Sequence, residues 1–227
     1  MNFKAVIFDL DGTLLDSLKD LADTLNYVLG DNGYPTHDID QFRYLVGYGM
    51  NELVRRALPP DLQNQRELLE RLMQEMLARY AVTWKNNTQP YPGIGELLDW
   101  LDTTSIKKGV LSNKSDKFTK LCVETLLSRW KFDCVTGHHP GINHKPDPQG
   151  ALLMAKEMKI DPAEILYIGD SNVDMLTANA AGMLPLGVLW GFRTKEELLE
   201  SGAKLLVEKP QAIISILSAN NTQGITP

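Results

Sequence analysis

Residues 5–13 read Ala-Val-Ile-Phe-Asp-Leu-Asp-Gly-Thr, an apolar run that stops at Asp9 and is followed by a second carboxylate at Asp11. An unbroken apolar run fits a strand buried on both faces, as in a parallel sheet, and Gly12 marks the turn that ends it. In open α/β sheets ligands collect beyond the carboxyl ends of strands, so Asp9 and Asp11 fall where a site is expected. Taken alone, the same residues also read as a polar turn.

Beyond Asp16 the pattern becomes helical. Ser17 and Asp20 resemble a capping-box pair, and Leu18, Leu21, Ala22, Leu25, Val28 and Leu29 share one stripe that stops at Gly30. Short helical pieces are predicted over 42–45 and 51–58, separated by the tight loop Val46-Gly47-Tyr48-Gly49-Met50. After Pro59-Pro60, Leu69, Leu72, Met73, Met76, Leu77 and Tyr80 predict a long helix. No convincing strand is found between 17 and about 83, and the polar, Pro/Gly-containing stretch 85–93 reads as a linker back to the first domain. From there strands and helices alternate, with helices over 94–101, 116–127, 149–158, 172–181 and 211–217 and strands over 109–111, 132–135, 165–168, 186–189 and 205–207. The polar residues 218–227 read as a loose tail. The fold class is therefore α/β, a Rossmann-like parallel-sheet core built from 1–16 and 90–227, with an all-helical insert at 17–89.

The 227 residues carry a net charge of -6, and acidic and basic side chains are mixed along the chain, so there is no basic stripe to hold a nucleic-acid backbone. Cys122 and Cys134 form no CxxC pattern and are expected as reduced packing residues. No apolar run approaches a membrane span, and Met-Asn-Phe-Lys leads directly into the first strand without an apolar leader. These features point to a cytoplasmic protein, a monomer or weak homo-oligomer, whose partner is a small molecule.

Later strand ends repeat the arrangement of the first. Val110-Leu111 runs into Ser112-Asn113, Leu166-Tyr167-Ile168-Gly169 runs into Asp170 with Asp174 four residues on, and Lys145 precedes a helix in His-Lys-Pro-Asp-Pro. Singly, each has an ordinary reading: a helix cap, a turn residue, a solvated helix charge, a surface lysine. Jointly they do not, because bare carboxylates at Asp9, Asp11 and Asp170 would repel by about 4 kcal/mol per close pair at an effective dielectric near 20. Such a cluster calls for a cation, and a set of oxygen ligands without His or Cys favours Mg²⁺. A magnesium ion beside a nucleophilic carboxylate, hydroxyl and amide donors and a lysine describes phosphoryl transfer.

The ordered set Asp9-Leu10-Asp11-Gly12-Thr13, Ser112-Asn113, Lys145-Pro146 and Gly169-Asp170 with Asp174 resembles the four motifs of the haloacid dehalogenase superfamily. The likeness spans nearly the whole chain. The place and length of the insert are similar to the helical cap of subfamily I, and Val46-Gly47-Tyr48-Gly49, Ser112-Asn113-Lys114 and Lys145-Pro146-Asp147-Pro148 most resemble the phosphoglycolate phosphatase branch. The resemblance implies a phosphatase in which Asp9 is the nucleophile and Asp11 the general acid and base. It further implies Mg²⁺ on the side chains of Asp9 and Asp170 and the main-chain carbonyl of Asp11, with Asp174 behind them. Thr13, Ser112 and Asn113 would donate to the phosphate, Lys145 would offset its charge, and Arg43, Gly47 and Gly49 would meet the substrate, 2-phosphoglycolate being the first choice. The second aspartate, Asp11, argues against dehalogenation.

Other readings use the same core. A phosphomutase or pyrophosphatase would differ in its cap; a phosphonate hydrolase would want an early cap lysine, where only Lys19 is found; a phospho-accepting binding domain would be shorter and without an insert. His138, His139 and His144 crowd the loop before Lys145, a potential metal cluster by composition, but solvated loop histidines are the expectation. Arg55 and Arg56 read as a solvated helix face, and Tyr80, Trp84, Trp100, Trp130 and Trp190 as packing anchors.

Overall fold

The computed structural model describes residues 2–221. In chain order it contains β1 (Ala5–Phe8), β2 (Leu15–Asp16), α1 (Leu18–Asp31), α2 (Ile39–Leu45), α3 (Met50–Ala57), α4 (Arg66–Thr83), β3 (Gln89–Pro90), α5 (Ile94–Asp102), β4 (Lys107–Ser115), α6 (Asp116–Leu126), β5 (Cys134–His138), α7 (Gln149–Met158), β6 (Ile165–Gly169), α8 (Asn172–Ala180), β7 (Leu184–Val188), α9 (Lys195–Glu200), β8 (Leu205–Val207) and α10 (Pro210–Asn221).

Strand periodicity explains the apolar run that opens the chain. Val6 and Phe8 join the cluster on one face of the sheet, with Val110, Leu166 and Ile168 and with Leu97, Leu101, Phe118 and Leu217 from α5, α6 and α10. Ala5 and Ile7 join the other, with Ile165, Tyr167, Ala151, Met154 and Ala155. A strand covered on both faces has no solvent side, so its sequence shows no alternation. The sheet is parallel, in the order β5-β4-β1-β6-β7-β8. From β1 the chain fills one side with β4 and β5, then crosses to β6 on the other, which makes the carboxyl end of β1 the switch point where such sheets bind ligands.

The helices α1 to α4 lie between β1 and β4 in sequence and pack on one another, α4 against α1 and α3. Their apolar residues Leu25, Phe42, Leu53, Leu72, Met76 and Tyr80 continue the first cluster. Where the chain leaves and re-enters the sheet region, Leu15–Asp16 pairs antiparallel with Gln89–Pro90, so the stretch expected as a linker carries a short strand. Two residues are too few for any periodicity to reveal. β4 extends past the predicted 109–111 to Ser115, and β5 starts two residues later than predicted and ends at His138. The tail is partly corrected: α10 runs through Asn221, while 222–227 lie outside the described residues.

The capping-box expectation at Ser17 and Asp20 is overturned. Ser17 turns its hydroxyl to Asp11 Oδ1 at 2.5 Å. Asp20, buried, accepts from the Asn87 backbone N–H at 2.9 Å, the Asn87 side-chain amide at 2.7 Å, the Thr88 backbone N–H at 2.8 Å and the Thr88 hydroxyl at 2.7 Å. A carboxylate with several lone pairs satisfies more of the returning strand's donors than a helix terminus would offer, and it fastens the exit of the insert to its return. Asp20→Ala leaves these donors buried without a partner and is expected to lower stability by about 3 kcal/mol in urea unfolding. A change below about 0.5 kcal/mol would show that the two chain ends are held elsewhere.

Candidate active site

Asp9 leaves β1 with its N–H on the Ile168 carbonyl of β6 at 2.9 Å, so the central strands position it from both sides. Gly12 follows at φ +84°, and a Cβ there would stand 2.3 Å from Asp170 Oδ2. Only glycine adopts that turn without strain and also leaves room for the carboxylate that β6 delivers against it. Asp170 is aimed by Thr13, whose hydroxyl donates to Oδ1 at 3.0 Å, and by the Phe192 N–H, which donates to Oδ2 at 2.8 Å. Asp174, in the first turn of α8, accepts from the Ser171 hydroxyl at 2.5 Å and backbone N–H at 3.1 Å. Its other oxygen meets Lys145 Nζ at 2.7 Å, and the same ammonium lies 2.9 Å from Asp9 Oδ1 and 3.2 Å from the Leu111 carbonyl.

Asp9, Asp170 and Asp174 bring carboxylate oxygens within 4.8 Å of one another, and all three are buried. Burial, followed by the charge of Asp174, holds the Asp9 carboxyl well above the usual carboxylate range despite the pull of Lys145. Burial and then Asp174 push Asp170 up to about 7, against the hydrogen bonds from Phe192 and Thr13. Burial opposes a charge on Lys145, but Asp174 and then Asp9 outweigh it and raise its pKa well above the lysine value. One ammonium among three carboxylates leaves uncompensated negative charge, carried by oxygen donors alone, and that donor set fits a hard divalent cation.

Asp11 stands apart from this cluster. Its oxygens take Lys114 Nζ at 2.8 Å each, besides the Ser17 hydroxyl. Both Asp9 and Asp11 line a cavity of about 290 Å³, together with Ser112, Asn113, Lys114, Gly47, Gly49 and apolar residues of the helical insert. Lys114 has no role in the sequence reading, which stops the strand at 111; once β4 is known to reach Ser115, a period of two puts Ser112 and Lys114 on one face.

Several predicted contacts are redirected. The Thr13 hydroxyl is fully buried on Asp170, so it orients that carboxylate and does not reach the cavity. Asn113 spends its amide on Gly47 O at 2.9 Å, Lys145 O at 3.0 Å and, through Oδ1, the Lys145 N–H at 2.7 Å, which leaves no side-chain donor for a phosphate. Arg43 reaches Gly191 O at 3.0 Å and Asp40, and it does not line the cavity. Arg193, which the sequence reading passed over, is buried and donates to Val46 O at 2.9 Å and to Arg43 O. His138 and His144 are half-buried and line the cavity, while His139 is exposed, as expected of a loop residue.

With metal removed, a carboxyl whose pKa is raised in the fold keeps a proton that the unfolded chain has already released. Stability therefore falls as pH rises from about 4 through 7. Asp170→Asn lacks this loss, so thermal unfolding in chelator should show the variant gaining on the parent between about pH 4 and pH 7. Parallel curves would remove Asp170 from the buried titrating set.

A family model described as haloacid dehalogenase-like hydrolase matches residues 6–188, a span that includes Asp9, Asp11, Ser112, Lys145, Asp170 and Asp174. Phosphoglycolate phosphatase 1 of Pseudomonas aeruginosa is 31% identical over 209 residues, which cover 90% of this chain and 76% of that protein. Phosphoglycolate phosphatase of Xanthomonas campestris pv. campestris is 31% identical over 208 residues, covering 91% and 93%. A crystal structure from Lactobacillus delbrueckii subsp. bulgaricus superposes with a TM-score of 0.90 at 29% identity over 96% of this chain and 99% of that one. With the carboxylate cluster at the switch point of a parallel sheet, these likenesses identify the chain as a member of the haloacid dehalogenase-like hydrolases.

Proposed function

We propose that this chain is a Mg²⁺-dependent phosphomonoester hydrolase that forms an aspartyl phosphate on a small phosphorylated metabolite, with 2-phosphoglycolate the first substrate to try, as the relatives are named for it. The observation that carries this reading is the division of labour at one strand end, where Asp9 sits on Lys145 within the carboxylate cluster and Asp11 faces the same cavity on a separate lysine. Asp9 Oδ attacks phosphorus, an O–P bond forms, and the bond to the leaving oxygen breaks as Asp11 gives that oxygen a proton. Asp11 then takes a proton from the water that hydrolyses the aspartyl phosphate. The carboxylates of Asp9 and Asp170 and the main-chain carbonyl of Asp11 would hold Mg²⁺, which would supply positive charge to offset that of the phosphoryl group.

Lys145 fixes Asp9 and lowers the repulsion that an arriving phosphate meets. Ser112 presents a hydroxyl to the cavity, and Lys114 balances phosphoryl charge as it exchanges Asp11 for a phosphate oxygen. Thr13 and Asp174 position rather than touch: one aims Asp170, the other holds Lys145. Residues 17–89 serve as a cap that closes the cavity and excludes water. Cys122 and Cys134, both free and buried, suit a reducing cytoplasm. Among the described residues no helix is long and apolar enough to cross a membrane.

Asp9→Asn is expected to abolish steady-state turnover with an unchanged circular-dichroism spectrum, since an amide keeps the shape but not the nucleophile. Asp11→Asn should slow alkyl phosphates far more than aryl phosphates, whose leaving groups need little proton assistance; equal slowing would take the acid role from Asp11. Chelation should stop the reaction and Mg²⁺ restore it, whereas Ca²⁺, with its longer bonds and larger coordination number, should draw the second oxygen of Asp9 and fail. Full activity in Ca²⁺ would sink this view of the metal.

A further inference from the structure

The loop 139–143 folds back so that His138, the last residue of β5, stacks on His144, the neighbour of Lys145, with ring centroids 3.5 Å apart and planes 17° from parallel. Both rings line the cavity that Asp9 and Asp11 share. The Nδ1 of each is buried without a hydrogen-bond partner, and neither Nε2 makes a hydrogen bond among the described residues. Unpaired buried polar atoms are costly, and here two of them occur side by side.

The cations around the cavity are already committed. Lys145 is held by Asp9 and Asp174, Lys114 by Asp11, Arg193 by the carbonyls of Val46 and Arg43, and Arg55 by Glu52. The part of the lining that comes from the insert is mostly apolar, with Leu21, Met50, Leu53, Met73 and Leu77 beside the side-chain amide of Asn51. A ligand group that needs hydrogen bonds away from the phosphoryl end therefore finds uncommitted imidazole donors at the histidine pair. Burial and then His138 hold the His144 imidazole below its usual range, with Glu52 opposing, so that ring offers one N–H and one lone pair near neutral pH. Gly49, at φ +86°, comes down on this ring: a Cβ there would lie 2.8 Å from His144 Cε1. The glycine loop of the insert thus packs directly on the His144 ring.

We propose that His138 and His144 form the subsite that takes the carboxylate of the leaving group, each imidazole donating to one carboxylate oxygen. This rests on the phosphatase reading above and adds to it the residues that set specificity. Because the pair and the two aspartates line one cavity of about 290 Å³, the subsite suits a small substrate that carries its carboxylate and its phosphate close together.

The test uses 2-phosphoglycolate and ethyl phosphate, which have the same two-carbon frame with and without the carboxylate. His138→Phe and His144→Phe keep the stack but remove the nitrogens, and each should raise KM for 2-phosphoglycolate by about tenfold, the worth of one charge-assisted hydrogen bond, with kcat within about twofold. Ethyl phosphate should be unaffected, and His144→Asn should recover part of the loss. In the unmutated protein, adding glycolate with inorganic phosphate should shift the imidazole ¹⁵N resonances of both residues, a readout that does not depend on the variants folding. Equal losses on the two esters, unmoved imidazole resonances, or wild-type turnover of ethyl phosphate but not of 2-phosphoglycolate would overturn the subsite. Failure of both esters would overturn it too, and turnover of 4-nitrophenyl phosphate then decides separately whether the phosphatase reading survives.

Discussion

Lys145 sits buried between Asp9 and Asp174, and most of what surrounds the site exists to keep it there. An ammonium taken out of water loses several kcal/mol of solvation, recovered only if its partners hold a fixed geometry, and removing one partner of such a group costs about 3–5 kcal/mol. Ser171 holds Asp174 with its hydroxyl and N–H, the Leu111 carbonyl accepts from the ammonium, and Asn113 clasps the Lys145 backbone on both sides. The charges around Asp9 are thereby held in one fixed arrangement, and such preorganisation is the most effective way for a protein to stabilise charge that develops in a reaction.

That constraint reaches the helical insert. The Asn113 amide that holds Lys145 also donates to the Gly47 carbonyl, while Arg193 ties the carbonyls of Arg43 and Val46 to the sheet side, and Tyr48 meets Asn172 at 2.9 Å. The loop between α2 and α3 is thereby set by the same side chains that set Lys145. These hydrogen bonds join the insert to the site region itself, so any displacement of the loop would have to break them.

How much of this can be read in the sequence follows from the range of the forces. Buried strands show as apolar runs and each strand end delivers its polar residue a step or two later, so the sheet, its switch point and the residues Asp9, Asp11, Ser112, Lys145, Asp170 and Asp174 are all legible. What is not legible is decided by partners far away in the chain. Thr13 could donate to a ligand or to Asp170, 157 residues distant, and nothing local separates the two. Ser17 and Asp20 have the spacing of a cap, but the stronger attraction is the row of donors at Asn87 and Thr88. Arg43 lies close in sequence to the glycine loop, yet the carbonyl of Gly191 captures it. The histidines illustrate the same limit: their loop looks polar and exposed, and only the return of the chain to Lys145 turns two of them onto a common wall.

The cavity combines two environments that sequence composition averages away. Its floor carries Asp9, Asp11 and Lys114, and its roof, from the insert, is mostly hydrocarbon, with Asn51 the polar exception among the described residues. An apolar roof offers water no hydrogen bonds, and each charge on the floor interacts more strongly as the local dielectric falls. The same roof removes most options for recognising a polar leaving group, because a hydroxyl or carboxylate placed against Leu53 or Met73 would lose its solvation without replacement. A mostly apolar cover therefore leaves recognition of a polar leaving group to the edges of the cavity, and the stacked imidazoles, with their unpartnered Nδ1 atoms, stand at one such edge.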